Sequence, residues 1–289
     1  MSTAPETLRA LLDRAYEHHA ATPQVFAEAL AARAGTLPVE AESAEMIRFA
    51  THLLLAHLAD VDALQRLVQA LPPALVQADI AAPSLQRAVW CMALVRGEPE
   101  PLLPPLSRWR SLHNVVLGLA RLGRAPRAAE LLARDEPAAL SHAGEAERQA
   151  YAAVANDTAL HLRTGERGSV AADELMINAA EIARRAWERA GTWLHVERAE
   201  YQLALCHATA GHGAQAIQHA QWCLEICKAQ NADALEHFFA HEALVLAHRA
   251  AGDIASARAH REQMVAWLPK VADADMRAWC TKTLDDTPA

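Results

Sequence analysis

The chain has 289 residues, 52% of them apolar and 21% charged, which excludes a disordered polymer and exceeds the usual size of a single hydrophobic core. Only 5% aromatic residues and 11 glycines are poor material for a sheet protein, whereas the dominant alanine, leucine, arginine and glutamate all favour helix. A net charge of −8 argues against broad binding to nucleic acid, and the lack of a long apolar run argues against a membrane span.

Start and stop signals predict a series of helix pairs. In chain order they are 4–20 with 23–34, 41–58 with 60–71, 84–96 with 98–107 and 109–122 with 125–134. The series continues with 145–163 and 170–190, 193–210 and 213–230, and 233–250 and 253–268, closed by a helix at 273–284. Thr3 and Glu6 have the spacing of a capping box, and Thr22-Pro23 reads as an N-cap followed by proline at the first helical position. Pro72-Pro73, Pro83, Pro137 and Pro269 punctuate apolar stretches, and 135–145 reads as a bend. The 98–107 helix is the weakest, because Pro99, Pro101, Pro104 and Pro105 leave room for only a turn or two.

The clearest stripes lie in the C-terminal half. Ile217, Ala220, Leu224 and Cys227 fall on one helical face, as do Leu175, Ala179, Ile182 and Ala186. The turns recur as well. Gly211 and Gly252 stand 41 residues apart, each followed five residues later by an alanine, Ala216 and Ala257, and Gly123 precedes Ala128 in the same way. Leu203 and Leu244 lie eight residues before the turn glycines, and Pro269 lies seventeen after Gly252.

This pattern resembles the tetratricopeptide repeat, although Glu200, His207, His241 and His248 replace its aromatic positions and the period is nearer 40. The resemblance implies an all-α fold, an α-α superhelix (a solenoid similar to that repeat) of about seven antiparallel helix pairs. Residues 1–140 are degenerate hairpins and 141–289 the clearer repeats, expected to form one continuous array. It also implies a concave groove lined by the first helix of each pair. Mapped inward positions include Asn156, Arg163, Arg198, Tyr201, Gln202, Phe239, Glu242 and Arg249, with Arg110, His113 and Asn114 in the fourth pair. On this reading Arg198, Arg163 and Arg110 bind carboxylates, Asn156 and Tyr201 orient a peptide backbone, and Tyr201 and Phe239 supply the apolar anchor. The competing reading makes Asn156 a solvent-facing residue and the two aromatics padding between repeats.

Enzyme signatures are absent. No GxSxG, HExxH or glycine-rich phosphate loop occurs, and the five cysteines form no CxxC pair. Cys223 and Cys227 share a helical face and read as core packing. His237 and His241, four apart, share a face that can reach one ion, but no closed ligand set surrounds them, so neither metal nor cofactor is expected.

The leading expectation is a cytoplasmic, non-enzymatic module that binds a protein or peptide. The alternatives are a small-molecule or peptide sensor, an enzyme built on Glu200, His241, Glu242 and His248, with or without a metal, and self-association as a homodimer through alanine-rich helices.

Overall fold

The computed structural model describes residues 6–142, 144–165 and 168–288. Among these residues no strand occurs. The helices in chain order are α1 (Leu8–His18), α2 (Pro23–Arg33), α3 (Ala41–His52), α4 (Val61–Gln69), α5 (Pro73–Val76), α6 (Ala82–Arg96), α7 (Pro105–Arg121) and α8 (Ala125–Ser141). They continue with α9 (Glu145–Thr164), α10 (Val170–Ala190), α11 (Trp193–Thr209), α12 (Gly213–Ala229), α13 (Ala234–Ala250), α14 (Ile254–Trp267) and α15 (Ala274–Asp286). A five-residue π-helical turn, Leu53–His57, continues α3. No helix among the described residues is long and apolar enough to cross a membrane.

The chain forms two compact units, Met1–Leu131 and Leu132–Ala289. In the first, α3, α6 and α7 pack around the π turn, with α1, α2 and α4 against them. Its core holds Leu11, Leu30, Met46, Ile47, Leu55, Leu64, Trp90 and Leu112. In the second, each helix from α9 to α14 packs on the next, and α11 also packs on α9 and α13. That arrangement buries Ala204, Ala216, Ala220, Cys223, Ala243 and Leu244 in one cluster, and Phe238, Val245, Met264 and Cys280 in another.

The turn chemistry explains the helix ends. Gly211 and Gly252 adopt φ of 80° and 78°, a region that costs glycine no steric energy. The following amide then reaches back across the last turn: His212 N–H donates to the His207 carbonyl and Asp253 N–H to the His248 carbonyl, both at 2.8 Å. Asp253 next caps α14, accepting the Ser256 amide at 3.1 Å. Ala216 and Ala257 are fully buried, so the small residue five after the glycine sits where helices approach. Pro23 opens α2 as its first residue, although Thr22 makes no side-chain cap bond.

Three expectations need correction or restatement. The 98–107 helix does not form. Residues 98–104 are non-helical and α7 begins at Pro105, because the prolines remove amide donors and push preceding residues to extended backbone. Trp90 instead donates to Glu100 at 3.0 Å and anchors that segment to α6. Pro137 does not end its helix, since α8 runs through it to Ser141 with Leu132, Asp135 and Ala139 fully buried. Thr3 lies outside the described residues; the cap of α1 is Thr7, whose hydroxyl accepts the Ala10 amide at 3.2 Å.

A close approach in the second unit gives a direct test of packing. A Cβ on Gly213, the first residue of α12, would lie 2.6 Å from the backbone of Ala251 at the end of α13. At an open helical position Gly→Ala stabilises by up to about 1 kcal/mol. Here α12 and α13 must part, so Gly213→Ala is expected to destabilise by about 2 kcal/mol. Thermal denaturation should show a midpoint lower by roughly 4–8 °C, and an unchanged or raised midpoint would contradict the packing.

Candidate functional site

The first unit assembles a cationic cavity from three helices. Arg48 and Thr51 come from α3, Arg87 from α6, and Arg110, Ser111 and Asn114 from α7, around a volume of about 430 Å³. The six lining residues include no acid. The Thr51 and Ser111 hydroxyls donate to carbonyls of their own helices, at 2.8 Å to Ile47 and 2.7 Å to Ser107. The donors left for the cavity are therefore the guanidinium groups and the Asn114 amide.

Arg87 is the most constrained of the three. It donates through Nη2 to the Ser107 hydroxyl at 3.3 Å, while its buried Nε has no hydrogen-bond partner. Burial first, and then the charges of Arg48 and Arg110, hold its guanidinium below the ordinary arginine value. An anion in the cavity would supply an acceptor for the Arg87 Nε and offset the crowding of like charge.

The wall of this cavity joins a histidine cluster. Asn114 Oδ1 accepts from His52 Nδ1 at 2.9 Å, and His113 stacks on His52 with ring centres 5.9 Å apart. His113, Asn114 and Arg110, mapped from the sequence, thus meet residues that the mapping did not contain: Arg48, Arg87 and His52.

In the second unit the mapped residues divide. Tyr201 donates to the carboxylate of the nearly buried Glu242 at 2.8 Å, and its ring meets Phe239 edge-on at 5.9 Å. Arg163 lies close enough to act on the charge of both Tyr201 and Glu242, and its buried Nε has no hydrogen-bond partner. These four come together across α9, α11 and α13. Arg198 instead pairs with Glu236, and Arg249 donates to the Pro288 carbonyl at 2.6 Å. Asn156 is half-buried beside Asp157 on α9.

The Glu200, His241, Glu242 and His248 set divides: the two histidines share a partner, both stacking on His260, and the two glutamates hold separate ones. Glu200 holds Arg184 and His219, Glu242 holds Tyr201, and His241 lies against His260, with Nδ1 atoms 3.1 Å apart. His237 stacks on Trp267 at 4.3 Å. His207 and His241 are pulled down to about 4, chiefly by burial and then by neighbouring imidazoles.

Among the described residues, two groups bring metal-type donors within reach of one point. One is His19, His52 and His57, half-buried in the first unit; the other is Glu197, Cys223 and Cys227, buried in the second. In the latter, both thiols donate to Glu197 Oε1, at 2.8 and 3.4 Å. Burial raises the Glu197 carboxyl to about 7, and the bond with Cys227, then burial, push Cys223 well up, so both protonated thiols are satisfied at Glu197 Oε1.

No protein-family model matches the chain, and no curated protein matches it. The functional reading therefore rests on the geometry.

Proposed function

We propose that the chain is a non-enzymatic binding module, a stack of helix pairs resembling the tetratricopeptide repeat, that holds a protein or peptide partner by an acidic group. One observation carries the reading: three guanidinium groups surround an acid-free cavity, and the most buried of them has an unpartnered Nε. Guanidinium forks match carboxylates in a planar, bidentate way. The chain as a whole is acidic at −8, so the cavity is a local positive site and not part of a basic surface of the kind that tracks nucleic-acid backbones. A cytoplasmic setting suits five buried cysteines that carry no disulfide.

The test is fluorescence anisotropy with a labelled peptide rich in aspartate and glutamate, beside its glutamine counterpart. The acidic peptide should bind and the neutral one should not, with affinity falling as salt rises. Arg87→Met and Arg110→Met keep the apolar stems and remove the charge, and each should weaken binding at least about tenfold. Equal affinity for both peptides, or unchanged affinity in folded variants, would overturn the reading.

A further inference from the structure

We propose that His19, His52 and His57 form a binding site for one divalent transition-metal ion of the zinc class, through three imidazole nitrogens and with a fourth position open. This goes beyond the anion cavity and uses different side chains; the two share only Asn114, which supports His52.

The tautomers favour it. His52 directs Nδ1 at Asn114 Oδ1, an acceptor, so Nδ1 carries the hydrogen and Nε2 the lone pair. His19 directs Nδ1 at the Ala15 carbonyl, 2.9 Å away, so its lone pair also lies on Nε2; the His52 lone pair meets His57 Nε2, whose proton the ion would displace. Metal-binding histidines are oriented in this way, the second nitrogen donating to a carbonyl or amide oxygen.

The spacing of one pair fits, and the third ligand lies within reach. His57 Nε2 stands 3.2 Å from His52 Nε2, and one ligand atom from each of the three residues lies within 4.8 Å of the others. Zinc–nitrogen bonds of about 2.0–2.1 Å in a tetrahedron place neighbouring nitrogens roughly 3.3–3.4 Å apart. The three rings meet edge to face, with centres 4.8–5.5 Å apart. Three histidines leave one tetrahedral position for water or a ligand, the arrangement of reactive sites and not of closed structural ones. The rings are half-buried, which leaves a path for the ion.

The backbone builds the site at some cost. In an α-helix, residues five apart point about 140° away from each other. His52 and His57 are five apart, and the π turn that ends at His57 brings them to one side. Leu58 N–H closes the turn on the Leu53 carbonyl at 3.2 Å. Arg121 donates to the Ala56 carbonyl at 2.7 Å, and α7 approaches so closely at Gly118 that a Cβ there would sit 3.1 Å from the Leu55 carbonyl. Leu53, Leu54 and Leu55 are buried beneath the turn, so the core holds the distortion in place. π turns inside helices occur frequently at functional sites.

The experiment is titration of the chelator-treated, full-length protein with Co²⁺ and then Zn²⁺, without peptide. One Co²⁺ per chain should bind with a dissociation constant below about 1 µM and give the visible bands of a four-coordinate, nitrogen-ligated ion, which Zn²⁺ then abolishes. Histidine ¹⁵N NMR of the wild-type protein should show Nε2 coordination at three residues. His19→Gln and His57→Gln should each weaken the tight site at least 100-fold, while the Cys223→Ser, Cys227→Ser double variant should leave it unchanged. Absence of stoichiometric binding, a thiolate-to-cobalt charge-transfer band, or tight binding that survives His57→Gln would overturn the site. Should a histidine variant fail to fold, the NMR result on the wild-type chain decides. Peptide binding by the arginine cavity is measured separately, so either reading can fall alone.

Discussion

Trp90→Ala is expected to destabilise the first unit by about 4 kcal/mol, within the 3–5 kcal/mol typical of emptying a buried tryptophan site. Trp90 is fully buried in α6, and its indole N–H holds Glu100 at 3.0 Å. Arg108 stands 3.6 Å from the same carboxylate, so one indole orders the proline-rich segment that leads into α7. Two effects separate. Trp90→Phe keeps most of the apolar volume and removes the donor, and should cost about 1–2 kcal/mol. Trp90→Ala adds the cavity. Hydrogen exchange read by mass spectrometry is the suitable measurement, because it reports on each unit locally. Protection should fall across 82–121 in the alanine variant and persist in 193–250. Uniform loss over the whole chain, or none, would contradict this account.

That segment also shows where local sequence signals stop. Helix positions were legible because caps and glycines are local. Asp60, Asp253 and Asp273 each accept an amide of the following helix, and Gly211 and Gly252 end theirs with positive φ. Pro137 was misread for the opposite reason. A proline removes one helical hydrogen bond, but burial of the residues around it carries α8 through, and burial is not a local property. The π turn was equally hidden. Leu53-Leu54-Leu55-Ala56 is good helix sequence, and nothing in it announces an added residue; the turn depends on α7, through Arg121 and Gly118.

The candidate sites follow the same logic. Repeat spacing placed Arg163, Tyr201, Phe239 and Glu242 on neighbouring helices, and the structure brings them together. Spacing could not show that Glu242 and Tyr201 bond each other, because that depends on rotamers across two helices. Arg48 and Arg87 carry no signal at all. They stand 39 residues apart on ordinary helices and meet Arg110 only through the packing of α3, α6 and α7. The same holds for His19, 33 residues before His52. With 15 histidines in the chain, composition alone cannot say which three converge.

Raising the pH from about 4.5 to 7 is expected to remove on the order of 3 kcal/mol of stability through Glu197 alone. This side chain is 1% exposed, and its Oε2 is buried with no hydrogen-bond partner. Burial raises its folded-state value to about 7, and the nearby Glu236 charge adds to the effect, whereas bonds from Cys223 and Cys227 oppose it. Below the unfolded value near 4.5 both states hold the proton, and the contribution is present in full. Above it the unfolded chain releases its proton and the folded chain keeps it, so stability falls by up to about 1.4 kcal/mol per pH unit until the folded group also ionises. His207 and His241 slope the other way. Their folded values are lowered to about 4, so their contribution is present above 6.5 and is lost as the pH falls through 4. A single stability curve mixes these opposed slopes, and the difference between wild type and Glu197→Gln removes the histidine part. The glutamine variant should gain on the wild type as the pH rises, from little or no advantage at pH 4.5 to a plateau above pH 7. Urea denaturation of both proteins across this range measures that difference. A pH-independent difference would mean that Glu197 is already ionised in the folded chain, with the Cys223 and Cys227 thiols sufficient to hold its charge in the core.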